Sequence, residues 1–136
     1  MDKVEAERLI LKLAAVYNLL WGAFIILFPF VLFDWAGLDR PSYPEIWKCV
    51  GMIVGVYGVG YWFASFDPYR HWIIVLVGFL GKILGPIGFV QSYIDGVFNL
   101  KFGTTILFND LIWWGPFAYI LWNSWRYHQF TKESYA

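Results

Sequence analysis

The chain is poor in the residues from which reactive centres are usually built. It has one cysteine, Cys49, which excludes an intrachain disulfide, a CxxC redox pair and a thiolate metal cluster. Its two histidines, His71 and His128, have no second histidine at i+3 or i+4 with which to hold a metal or haem. They read as residues at membrane edges. Charged residues are scarce at 15% and balance to a net charge of zero, so nothing favours nucleic acid or a strongly anionic partner. No phosphate loop and no nucleophile–base pair stands out. No metal centre and no cofactor are predicted, and no catalytic residue is assigned.

What the chain has is apolar length. Of 136 residues, 60% are hydrophobic and 23% aromatic, far from a soluble composition. A bilayer core of about 30 Å needs roughly 20 apolar residues in a helix. Four segments approach that length: 9–33, 46–66, 69–94 and 103–125. The first is too long for the apolar region of a signal peptide, and no small-residue cleavage site follows "FPFVLFDW". The expected fold is all-α: one domain over 1–136, an integral membrane bundle of four antiparallel transmembrane helices. Lys3, Arg8, Lys12, Arg70, Arg126 and Lys132 lie on one side of such a bundle, and Arg40, Lys48 and Lys101 on the other. The positive-inside rule then puts both termini in the cytoplasm.

Short links force neighbouring spans to pack as hairpins. In "SFDPYRHW", Asp67 fits an N-cap and Pro68 the first helical position. Asp2 and Glu5 have capping-box spacing. Trp35, Trp47, Trp62, Trp72 and Trp125 suit interfacial belts, whereas Trp21, Trp113, Trp114 and Trp122 lie deeper, where some can line a pocket.

Two glycine sets form stripes. At about 100° per residue, Gly51, Gly55 and Gly58 fall within about 60° of arc, and Gly78, Gly81, Gly85 and Gly88 within about 80°. Such stripes let membrane helices approach closely, so these seven are expected to be helix-packing positions.

From Trp72 to Ile94 the third span holds one charged residue, Lys82 in "GFLGKILGPIG". Its stem reaches roughly 6 Å, but each end of the helix is on the order of 15 Å away. An unpaired charge at that depth costs at least ~2.5 kcal/mol. Pro86, four residues on, cannot donate to the Lys82 carbonyl, and Pro116 frees the carbonyl of Ile112 in the same way. Broken backbone at membrane depth is tolerated where it is buried in protein or lines a wet cavity. By helical rise, Asn18 and Tyr57 lie within about one turn of the depth of Lys82, with Asp110 several ångströms nearer the exterior. A polar pocket of Asn18, Tyr57, Lys82, Pro86, Gln91, Asn109, Asp110, Trp113 and Trp114 is expected, with contact between Lys82 and Asp110 left open.

The first span closing on a proline ("WGAFIILFPFVLFDWAGL"), the glycine-rich second ("GMIVGVYGVGYW"), the turn "FDPYRHW" and a short two-helix remainder resemble the DoxX-like group of small bacterial four-helix membrane proteins. The resemblance covers most of the chain and is topological. It implies a compact bundle, often accessory to a redox or lipid-related system, in the bacterial inner membrane, and carries over no catalytic residue.

The function expected is that of a non-catalytic membrane module. It either binds a hydrophobic small ligand (a lipid, quinone or pigment stacked on deep aromatics) or serves as an accessory subunit. Membrane lipids and a homo-oligomer or larger membrane complex are its expected partners. Two alternatives stand beside it: a small membrane enzyme acting on a lipid or isoprenoid with Lys82 and Asp110 as acid–base groups, and an oligomeric small-solute transporter.

Overall fold

Residues 2–133 are described in a computed structural model; for Lys132 and Glu133 it gives the backbone and not the side chains. The side chain of Lys132, one of the cations weighed above, therefore lies outside the described residues. The described chain is helical, with no strand among its residues.

Helix α1 runs Lys3–Leu27. The Asp2 carboxylate accepts from the Lys3 N–H at 2.6 Å, and the Glu5 carboxylate accepts from the Asp2 N–H at 3.2 Å within a capping box. The helix stops short of the expected Phe33 because Pro29 has no N–H and crowds the backbone of Phe28. A separate short helix, α2 (Val31–Ala36), follows and is closed by Gly37 at φ 70°, a left-handed conformation that favours glycine. Beyond it Arg40 grips Asp34 through two hydrogen bonds of 2.8 Å, which holds the Asp34 carboxyl below the usual carboxylate range.

Helix α3 (Pro44–Ala64) opens on a proline, where a missing N–H costs nothing. Helix α4 spans Trp72–Ile94, three residues later than expected. The Asp67 carboxylate accepts from the Arg70 N–H, and its carbonyl from the His71 N–H, both at 3.1 Å. Those groups close a turn of their own, so Asp67 does not cap α4.

The last segment departs most from the sequence reading. Instead of one helix over 103–125, it consists of α5 (Leu100–Ile106), a π-helical turn (Leu107–Leu111) and α6 (Ile112–Glu133). Asn99 caps α5 by accepting from the Phe102 N–H at 2.9 Å, and its amide donates to the Ala36 carbonyl at 2.8 Å, tying α5 to α2. Three helices, α1, α3 and α4, are long and apolar enough to cross a membrane.

Helix α1 packs along α3 in the most extensive contact, and α4 packs along α6. The main core draws Leu11, Ala14 and Ala15 from α1, Tyr61 and Ala64 from α3, Val75 from α4, and Trp113, Phe117 and Ile120 from α6. A second core joins Phe33 and Ala36 to Phe102, with Trp47, Phe89 and Phe98 packed on it. Outside these cores the apolar faces are open: Leu20, Val56 and Leu84 are each more than half exposed.

Candidate functional site

Between the two cores lies a cavity of about 230 Å³. Each long helix contributes to it or borders it: Asn18 from α1, Tyr57 and Tyr61 from α3, Lys82 with Gly78, Gly81 and Gly85 from α4, and Asn109 and Asp110 from the π turn. The π turn matters to this convergence. An extra residue in the helical ladder advances the phase of the succeeding residues by roughly 100°. Here the turn carries Asn109 and Asp110, and Asp110 is left 6% exposed.

Lys82 is 5% exposed and is held at both ends. Its ammonium donates to the backbone carbonyl of Asn109 at 2.6 Å and lies 5.8 Å from the centre of the Trp113 ring. Its own carbonyl, which Pro86 cannot serve, accepts from the Trp114 indole N–H at 2.9 Å. The proline that breaks one ladder thus leaves an acceptor that α6 fills.

Lys82 and Asp110 do not pair. Among the described residues the ion pair is Arg40–Asp34, on the surface. Asp110 Oδ1 accepts from the Asn109 amide at 3.2 Å. Its Oδ2 lies over Gly85, 2.9 Å from where a Cβ there would sit. The absence of a side chain at Gly85 therefore makes room for the carboxylate. Asn18 is 3% exposed, and its Oδ1 has no hydrogen-bond partner among the described residues; nor has Asn109 Oδ1.

Val54, Gly85 and Asn109 are shared with a second cavity of about 350 Å³, walled largely by Trp21, Ile25, Trp47, Phe89, Phe98 and Phe102. That cavity in turn shares Trp47, Val50 and Phe98 with an open pocket of about 830 Å³ under the link after α2. A polar chamber therefore adjoins an aromatic one, which adjoins an open surface pocket.

Several expected positions lie elsewhere. Gln91 is exposed and donates to both carboxylate oxygens of Asp95, at 3.0 and 3.1 Å, one turn further along α4. Trp113 and Trp114 touch Lys82 without lining its cavity, and Pro86 acts by the hydrogen bond it cannot make.

The glycine stripes divide as well. Gly51 and Gly58 meet α1: a Cβ at Gly51 would come 2.8 Å from the Gly22 carbonyl, and one at Gly58 would come 2.9 Å from the Ala15 carbonyl. Gly55, Gly81 and Gly88 have open space where a side chain would begin. Gly78 lies under the Tyr61 ring, and Gly81 and Gly85 border the cavity. The α4 stripe is therefore chiefly a cavity wall.

Sequence reasoning missed Gly22, although Ala15, Asn18 and Gly22 repeat small or short residues at helical spacing. It also missed Glu7, which is fully buried and accepts from the Asn123 amide at 2.7 Å. Comparison with protein-family models, with curated proteins and with solved structures gives no match.

Proposed function

We propose that this chain is a four-span antiparallel membrane bundle, with both termini at the cytoplasmic face of a bacterial inner membrane, that binds a small amphipathic ligand. The polar head sits at Lys82, Asp110 and Asn18, and the apolar body lies among Trp21, Trp47, Phe89 and Phe102. One observation carries this reading: a buried ammonium and a buried carboxylate share a cavity without pairing. Two charged groups brought in for stability alone would be expected to satisfy each other, since leaving either unpaired at depth is costly. The adjoining aromatic cavity supplies the apolar surface that ligand sites need beside a few polar groups.

Organic extraction of the protein purified in mild detergent, followed by mass spectrometry, tests the proposal. The wild type should carry a stoichiometric amphipathic molecule that Lys82→Met loses. Equal recovery from both proteins would contradict it. The same preparation reports the setting by native mass: larger co-purifying subunits indicate an accessory role, and a homo-oligomer indicates a self-contained module.

Acid–base chemistry on the bound molecule is the second reading, favoured by the placement of Lys82 and Asp110 in one chamber. It requires the extracted molecule to differ chemically between wild type and Asp110→Asn.

A further inference from the structure

Away from the Lys82 chamber, a groove of about 190 Å³ lies where α1, α2 and the α5–π segment meet, between Trp21, Leu32, Trp35, Thr104, Thr105 and Phe108. Trp35 and Phe108 are exposed along it. Its two threonines do not make it polar. The Thr104 hydroxyl donates to the Lys101 carbonyl at 2.8 Å and the Thr105 hydroxyl to the Phe102 carbonyl at 2.7 Å, so neither has a proton to offer an occupant. Rings and aliphatic side chains form the rest of the wall, a surface suited to hydrocarbon.

Beside this groove stands a cation. The Lys101 ammonium lies 4.8 Å from the centre of the Trp35 ring. Lys101 is exposed and has no carboxylate within ion-pair distance among the described residues. Asp34, next to Trp35 in sequence, has both carboxylate oxygens on Arg40. A ring face attracts an ammonium without neutralising it.

That pairing of features sorts occupants. A water-soluble anion would answer Lys101 and leave the groove bare. An uncharged lipid would fill the groove and leave the cation unanswered. An anionic phospholipid does both, and lysine and tryptophan are the residues that membrane proteins place at headgroup depth.

Resting on the membrane setting read above but not on the Lys82 ligand, we propose that an anionic phospholipid of the surrounding bilayer docks here. Its phosphate meets Lys101 over Trp35, and one acyl chain lies in the groove between Leu32 and Phe108. The groove has no residue in common with the Lys82 chamber and meets the aromatic cavity only through Trp21 and Thr105.

The test is native mass spectrometry of the full chain, purified from membranes in mild detergent and offered equal amounts of phosphatidylglycerol and phosphatidylcholine with identical acyl chains. Phosphatidylcholine carries the same phosphate but its own cation beside it. The wild type should retain phosphatidylglycerol over phosphatidylcholine by about 5-fold, the contribution of one lysine near anionic lipid. Lys101→Gln, an exposed substitution expected to fold, should bring the ratio within about 2-fold. Lys48→Gln removes a cation that lines no part of the groove and should leave the ratio unchanged. Thr104→Trp, which fills the groove from an exposed position, should lower retention of both lipids. Lys82→Met should leave the phospholipid in place. Equal ratios in Lys101→Gln and Lys48→Gln would overturn the headgroup assignment, and undiminished retention in Thr104→Trp would overturn the groove as the chain site. Loss of the phospholipid in Lys82→Met would overturn its separation from the inner ligand. Recovery of the chain in the soluble fraction would overturn the membrane reading and this proposal with it.

Discussion

At the residue scale the central fact is how Lys82 is accommodated. Its charge is met by a main-chain carbonyl in the π turn and by the face of Trp113, not by Asp110. Because helical rise is uniform, depth could be counted from the sequence, and it places Asn18 and Tyr57 within about one turn of Lys82, with Asp110 several ångströms nearer the exterior. Depth does not give the rotation that sends Gln91 to the surface, where Asp95 holds it. Glu7 was illegible for a different reason: its partner Asn123 is 116 residues away, and no local pattern joins them. Removing the donor in Asn123→Leu leaves a buried carboxylate short of a hydrogen bond and should cost about 2–3 kcal/mol. Ser124 next to it is fully buried with an unpartnered Oγ, so Ser124→Ala should be neutral or stabilising. Thermal unfolding in detergent checks both, and equal melting temperatures would contradict the burial of Glu7. Gly85→Ala should displace the Asp110 carboxylate and weaken ligand retention. Unaltered retention would show that the position of that carboxylate is immaterial.

At the scale of the element, helix existence was readable from apolar length, but helix ends were not: α3 starts at Pro44, two residues before the expected Ile46, and no helix starts at Pro68. The division at Pro29 was signalled by the missing N–H of proline, but the continuous apolar run across it masked the break. The π turn at Leu107–Leu111 had no such signal, since a shift in the hydrogen-bond ladder changes no residue type. Nor could periodicity say which helix a glycine stripe faces. The structure gives Gly51 and Gly58 to α1 and most of the α4 stripe to the cavity. Gly22→Ala should therefore be destabilising by roughly 1–3 kcal/mol, because its methyl group would meet α3 backbone at Gly51 and Gly55. Gly55→Ala and Gly81→Ala meet open space and should be tolerated or gain up to about 1 kcal/mol from helix propensity. Melting temperatures of the three variants decide this, and a Gly55→Ala variant as damaged as Gly22→Ala would contradict the assignment of these faces.

At the scale of the whole molecule, the cavities run from the Lys82 chamber through the aromatic space to the pocket beneath the link after α2. If both termini are cytoplasmic, that link faces outward. Single cysteines at Asp39 or Ser42, in a chain whose exposed Cys49 has been replaced, should then react with an impermeant reagent on whole cells. Reaction confined to inverted vesicles would reverse the topology and place the open pocket on the cytoplasmic side.

The central claim, a ligand site whose charged groups do not pair, is tested most directly by a double-mutant cycle between Lys82→Met and Asp110→Asn, read both as stability and as ligand retention. Such a site, whose two charged groups share a cavity and the neighbour Asn109 without bonding each other, predicts a stability coupling of no more than about 1 kcal/mol, the low end of the range for residues in one network. It also predicts that Lys82→Met folds about as well as the wild type, since an apolar substitute for a buried charge is often neutral or stabilising. Ligand retention should be lost in each single variant and should not return in the double variant. A coupling above about 1 kcal/mol, with Asp110→Asn restoring the stability lost in Lys82→Met, would show a structural pair and contradict the claim.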